Sequence, residues 1–147
     1  MTERYVHALW CDDIRQEIGN KPSFMGVYAG GLTVPSLPTI LPRLSVYVWA
    51  ITTIDHPFKK AVLRITRDDG FLLAQLHADN IERNNLQHPK PEEITNIQLM
   101  FGINLNGIEI PENSKYFSIS IETESETLEG QKLWVSVDPS LFAIPNE

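Results

Sequence analysis

Sulfur is nearly absent from the ionisable groups of this chain: Cys11 is the one cysteine, so no internal disulfide can form, which suits a reducing compartment. Basic residues are also scarce, with 12 Lys and Arg against 19 Asp and Glu, a net charge of −7. That balance excludes the clustered cations that grip nucleic acid whatever its sequence. No apolar run approaches the ~18 residues that a membrane span needs. The first residues lack a basic stretch followed by an apolar run, Ile144–Glu147 carry no lipidation signal, and no Asn-x-Ser/Thr acceptor occurs. These absences predict a cytoplasmic protein with no direct nucleic-acid or membrane partner.

Chemical motifs are missing too. His7, His56, His77 and His88 share no metal-binding spacing and have no cysteine partners, so zinc is not expected. Gly30-Gly31 lacks both the Gly-x-Gly-x-x-Gly pattern and a Lys-Ser/Thr pair, which excludes a phosphate cradle. Cys11, beside Leu9 and Trp10, reads as a small hydrophobe and not as a nucleophile served by His7 or His77. Nothing combines nucleophile, base and stabiliser, so the chain is expected to be no enzyme and to need no cofactor.

What is present is a strong alternation of period two. With 147 residues, 42% of them hydrophobic, the chain has the material for one well-buried domain over 1–147. Leu44, Val46, Val48 and Ala50 alternate with Ser45, Tyr47, Trp49 and Ile51. Ala61, Leu63 and Ile65 form one apolar row, and Leu72, Ala74, Leu76 and Ala78 form the next. Asp69-Gly70 between them predicts a two-residue type I′ hairpin. With Asp68 opposite Phe71, Ile65 then meets Ala74, Leu63 meets Leu76 and Ala61 meets Ala78, while Arg64 meets Gln75 and Val62 meets His77 on the wetter face. A slip of one residue would scramble that sorting.

Further strands are expected at Ile97–Leu105, Tyr116–Glu122 and Lys132–Val137. Asn106-Gly107 reads as a tight turn or a bulge, with Pro111 limiting any strand that follows. Residues 29–43, with prolines at 35, 38 and 42, and residues 79–93 read as loops, the latter with one helical turn around Ile81–Leu86. Residues 11–21 stay open between a short helix capped by Asp12 and a hairpin turned at Gly19-Asn20, the hairpin being favoured. Single-sided alternation in many short strands predicts an all-β antiparallel sandwich of 7–9 strands, immunoglobulin-like or C2-like.

The run Ala8-Leu9-Trp10-Cys11-Asp12-Asp13-Ile14-Arg15-Gln16-Glu17, followed by Gly26-Val27-Tyr28, resembles a bacterial and phage-associated family of uncharacterised β-sandwich proteins. The likeness covers most of the chain, with its motif in the first part. It implies a fold and a bacterial or phage origin, and it implies no activity.

Three surfaces emerge as candidates for function. Tyr47, Trp49 and Ile51 fall together on the face opposite Val46 and Val48, where a sandwich normally shows polar groups, and mark a protein-binding or homo-oligomer contact. Asp12, Asp13 and Glu17 with Arg15 form the densest ionisable cluster, readable as a ligand or cation site, or as Arg15 pairing with Asp13 or Glu17 across a strand face. Glu109–Glu112, Glu122, Glu124, Glu126 and Glu129 concentrate charge late in the chain, either as edge protection or as an acidic decoy for a nucleic-acid-binding protein. The first surface leads: a non-catalytic module that binds another protein through an aromatic sheet face or a sheet edge.

Overall fold

Alternation fixes which side of each strand is dry. In β8 (Tyr116–Thr123), Phe117, Ile119, Ile121 and Thr123 are buried, while Tyr116, Ser118, Ser120 and Glu122 between them are half-exposed. The computed structural model describes residues 4–78 and 95–144 and resolves this patterning into two sheets. The other strands are β1 (Tyr5–Glu17), β2 (Lys21–Val27), β3 (Leu32–Val34), β4 (Thr39–Thr53), β5 (Ala61–Arg67), β6 (Leu72–Ala78), β7 (Asn96–Ile110), β9 (Thr127–Glu129) and β10 (Leu133–Val137). The first sheet runs β2-β1-β4-β7, and the second runs β3-β10-β8-β5-β6 with β9 also on β8. All pairs are antiparallel except β3 with β10. The protein is a β-sandwich with ten strands among the described residues, against the seven to nine expected, because two three-residue strands, β3 and β9, lie in stretches without a readable period.

The core fills the space between the sheets. Leu44, Val46, Val48 and Ala50 of β4 meet Leu63, Ile65, Phe117, Ile119 and Ile121 from the second sheet, all buried. Gly130, where β9 gives way to β10, sits where an added Cβ would lie 2.6 Å from Ile119 Cγ2 and 3.3 Å from both Ala8 and Val6. The sheets therefore come close together at a residue without a side chain. Gly130→Ala is expected to lower stability by about 1–3 kcal/mol through overpacking, read from a urea melt.

The β5–β6 register follows the hydrophobic sorting: Ala61 with Ala78, Leu63 with Leu76, Ile65 with Ala74. The turn itself differs from the two-residue type I′ loop. Arg67 N–H donates to Phe71 C=O at 2.9 Å and Gly70 N–H returns to Arg67 C=O at 2.9 Å, which makes a three-residue loop. Thr66 then pairs with Leu72, and Leu73 is an extra residue that restores the register at Ile65–Ala74. Side chains account for the longer loop. The Asp69 carboxylate accepts from Arg67 Nε at 2.9 Å, Arg67 Nη2 at 2.7 Å and Phe71 N–H at 3.1 Å, and the guanidinium stacks on the Phe71 ring.

Other expectations are corrected locally. Residues 29–43 are not irregular throughout, since β3 and the first residues of β4 lie within them. Asn106-Gly107 neither turns nor shifts the register: β7 pairs with β4 from Thr53–Asn96 to Thr39–Ile110, and Gly107 takes a φ of +63° within it. Residues 11–21 form the hairpin, with Gly19 and Asn20 both at positive φ in its turn. The loop expected over 79–93, with its turn at Ile81–Leu86, lies outside the described residues, as does His88.

A buried cation ties the start of the chain to two distant loops. The Arg4 side chain is 1% exposed and lies 2.5 Å from Glu124 Oε1. Its Nη2 donates to the carbonyls of His56 and Pro57 at 3.0 and 2.9 Å, and its Nε donates to Thr52 at 3.2 Å. The guanidinium covers the buried Phe58 ring at 4.7 Å. Burial pushes the Glu124 carboxyl up, but the Arg4 hydrogen bond and the backbone N–H groups of Glu124 and Lys59 outweigh it and bring it down to about 2.

Candidate binding face

β4 runs between β1 and β7, so its outward row is flanked on both sides. Tyr47 pairs with Leu9 and Gly102, Trp49 with His7 and Met100, and Ile51 with Tyr5 and Gln98. Tyr47 and Trp49 are half-buried with ring centroids 4.7 Å apart, whereas Ile51 is buried and contributes no free surface. Tyr47 lies across Gly102, where an added Cβ would stand 3.4 Å from its ring. Met100 beside Trp49 is 58% exposed.

The β1–β2 hairpin supplies a third ring. Pairing of β1 with β4 ends at Cys11–Ser45, and beyond it the hairpin crosses the outer face. Ser45 Oγ donates to Asp12 C=O at 3.2 Å, and Ile14 N–H donates to Asn104 Oδ1 on β7 at 3.4 Å. This crossing carries Phe24 onto the aromatic pair, edge-on to Tyr47 at 5.2 Å and to Trp49 at 6.0 Å. Phe24 and Met100 were not singled out in the sequence. Simple alternation from β1 misplaces Phe24, because the strand lifts away at Asp12-Asp13. Along the outward rows of β4, β7 and the paired part of β1, the Asp, Glu, Lys and Arg residues are Arg43, which Asp13 holds at 2.7 Å, and Glu109 near the end of β7; the rows over 5–11, 45–53 and 96–104 have none.

The acidic segment is dispersed by the same crossing. Asp12 accepts from the Tyr28 hydroxyl and packs on Gly26, whose φ is +68°. Burial, and then the Asp12 carboxylate, push the Tyr28 hydroxyl up. Asp13 turns the other way, to Arg43 and, at 3.5 Å, to Arg15. Glu17 pairs with Lys21 at the hairpin end, about 13 Å along the strand from Asp13. Among the described residues no three His, Cys, Asp or Glu side chains are gathered so as to hold a metal ion. Cys11 is buried with its thiol against Asp13 C=O at 3.4 Å, and that burial pushes the thiol up. In the acidic tract, Glu122 accepts from Arg64 at 2.8 Å and Lys60 at 3.2 Å, while Glu124 is taken by Arg4.

A groove of about 410 Å³ opens where the β1–β2 end meets β10, between Trp10, Tyr28, Gly31, Lys132 and Trp134. Trp10 Nε1 is satisfied by Gln131 C=O at 2.9 Å, and Lys132 lies over the Tyr116 ring at 4.3 Å. No helix among the described residues is long and apolar enough to cross a membrane. Comparisons with protein-family models, curated proteins and solved structures give no match. Fold and face together define a class: a β-sandwich with a charge-poor aromatic surface on one sheet.

Proposed function

We propose that the protein is a non-catalytic binding module that captures another protein on the outer face of the β2-β1-β4-β7 sheet. The observation that supports this reading is the union of Phe24, Tyr47, Trp49 and Met100 on a face whose outward rows over residues 5–11, 45–53 and 96–104 hold no Asp, Glu, Lys or Arg. Interface centres are depleted of charge and enriched in aromatic residues and methionine. Rings already packed edge to edge lose little freedom on binding, so their burial is converted to affinity with small entropic cost.

Trp49→Ala is the direct test, because its ring is at the centre of the cluster and only half-buried. Affinity capture from a bacterial lysate is expected to retain a discrete partner on the wild type and to lose it, by at least ~tenfold in affinity, on the variant, as a lost hot-spot aromatic implies. The circular dichroism spectrum stays that of the folded sheet. Equal retention of the same partner by both proteins would overturn the assignment.

A further inference from the structure

Among the described residues, besides the three-residue β9, which pairs with β8 alone, four strands border the two sheets, and three of these carry features that discourage further pairing. β2 has Lys21 and Pro22 at its start and a positive φ at Gly26. β3 is three residues long and is followed at once by Pro35. β6 is broken by the extra residue at Leu73. Charges, prolines, bulges and shortness are the devices by which sheet edges avoid accidental partners. β7 has none of them over Asn96–Asn106, the positive φ at Gly107 and the charge of Glu109 coming only near its end: it is 15 residues long and keeps one register with β4 throughout. Among the described residues no strand pairs with its other side. Its inward row is incompletely covered, since Ile97, Leu99, Phe101 and Leu105 are half-buried while only Ile103 in that row is buried.

We propose that two copies of this chain join along β7, antiparallel about Phe101, so that two four-stranded sheets become one continuous sheet across a twofold axis. The strand is complementary to itself in that register. Asn96 meets Asn106, Ile97 meets Leu105, Gln98 meets Asn104, Leu99 meets Ile103, and Phe101 meets its own copy. Each residue thus faces one of its own kind on its own side of the sheet, as an even-sum antiparallel register requires. Met100 stands opposite Gly102, where no side chain competes for space and the Tyr47 ring beside that glycine offers the thioether an apolar contact. Charge permits the same edge: copies carrying −7 each repel, and Asn96–Ile108 is the longest stretch of any border strand without Asp, Glu, Lys or Arg, β3 and β6 being uncharged but only three and seven residues long. Isologous pairing of this kind closes at two copies and leaves only the two β2 borders, with their Lys21 and Pro22, at the ends of the joined sheet.

The inference does not depend on the partner-capture reading, and light scattering separates them. Wild type is expected at about twice the 16.7 kDa chain mass, reversibly with dilution. Asn96→Lys/Asn106→Lys, at two exposed positions, sets lysine opposite lysine at both ends of the joint and weakens association ~tenfold. Asn96→Lys/Asn106→Glu sets lysine opposite glutamate in this register and restores it. Trp49→Ala, which removes partner capture, leaves the dimer intact. A wild type that stays monomeric at high micromolar concentration overturns the proposal, and so do two charge variants that associate alike. Capture of a different protein by β7 in a wild type that is monomeric alone counts against it equally.

Discussion

Arg4→Ala is expected to remove about 3–5 kcal/mol of stability, because it strands a partly buried carboxylate and leaves carbonyls without their donor. The guanidinium fork serves Glu124, Thr52 and the carbonyls of His56 and Pro57 at once, over the face of Phe58. Lysine cannot reproduce that geometry, so Arg4→Lys recovers only part of the loss. The same pair sets an acid limit. The Glu124 carboxyl is held down at about 2 against an ordinary 4.5, so its contribution is complete above pH 4.5 and drains away as pH falls toward 2. Glu124→Gln, which keeps an acceptor without the charge, should flatten the stability profile across that interval in urea melts at stepped pH. A profile identical to wild type would show that the ion pair carries no folding energy.

Leu63→Ala and Leu76→Ala form the second test, since the two leucines are cross-strand partners on the same face. Leu63 is fully buried, flanked by Ile121 on one side and Leu76 on the other, while Leu76 is 41% exposed on the border strand. Truncating Leu63 leaves a cavity that well-packed neighbours cannot close, for a loss of about 2–5 kcal/mol. Truncating Leu76 removes atoms that are already partly solvated, and the loss is expected to stay below about 1.5 kcal/mol. Paired denaturant titrations read both. Equal losses would mean that β6 is covered as fully as β5.

That contrast marks how far the fold was legible. Which residues of β5 and β6 meet followed from apolar sorting alone, since any slip sends Leu63 and Ile65 to the wrong side. Distance from the sheet border did not, because Leu63 and Leu76 look alike in a period of two. The three-residue loop escaped notice because Asp69 favours it through its side chain, and Leu73 then hides the extra residue by bulging out. At the candidate face, Tyr47 and Trp49 were placed by the alternation of β4. Phe24 was not, because the hairpin leaves the sheet at Asp12-Asp13, and Ile51 lies buried for reasons its own strand does not reveal. The role of Arg4 had no sequence signal at all: its partners His56, Pro57 and Glu124 lie in loops whose approach only the whole fold decides.

The slot filled by β10 has a consequence for how the molecule is made. β10 lies between β3 and β8, pairing Val135 with Leu32 on one flank and Leu133 with Phe117 on the other. A nascent chain that has not yet released residue 137 therefore leaves β3 without its one strand partner and one flank of β8 without its pairing at Tyr116 and Phe117, however well β4 and β5 have assembled. Contacts of such long sequence separation form slowly, so the slot between β3 and β8 is expected to close late in folding.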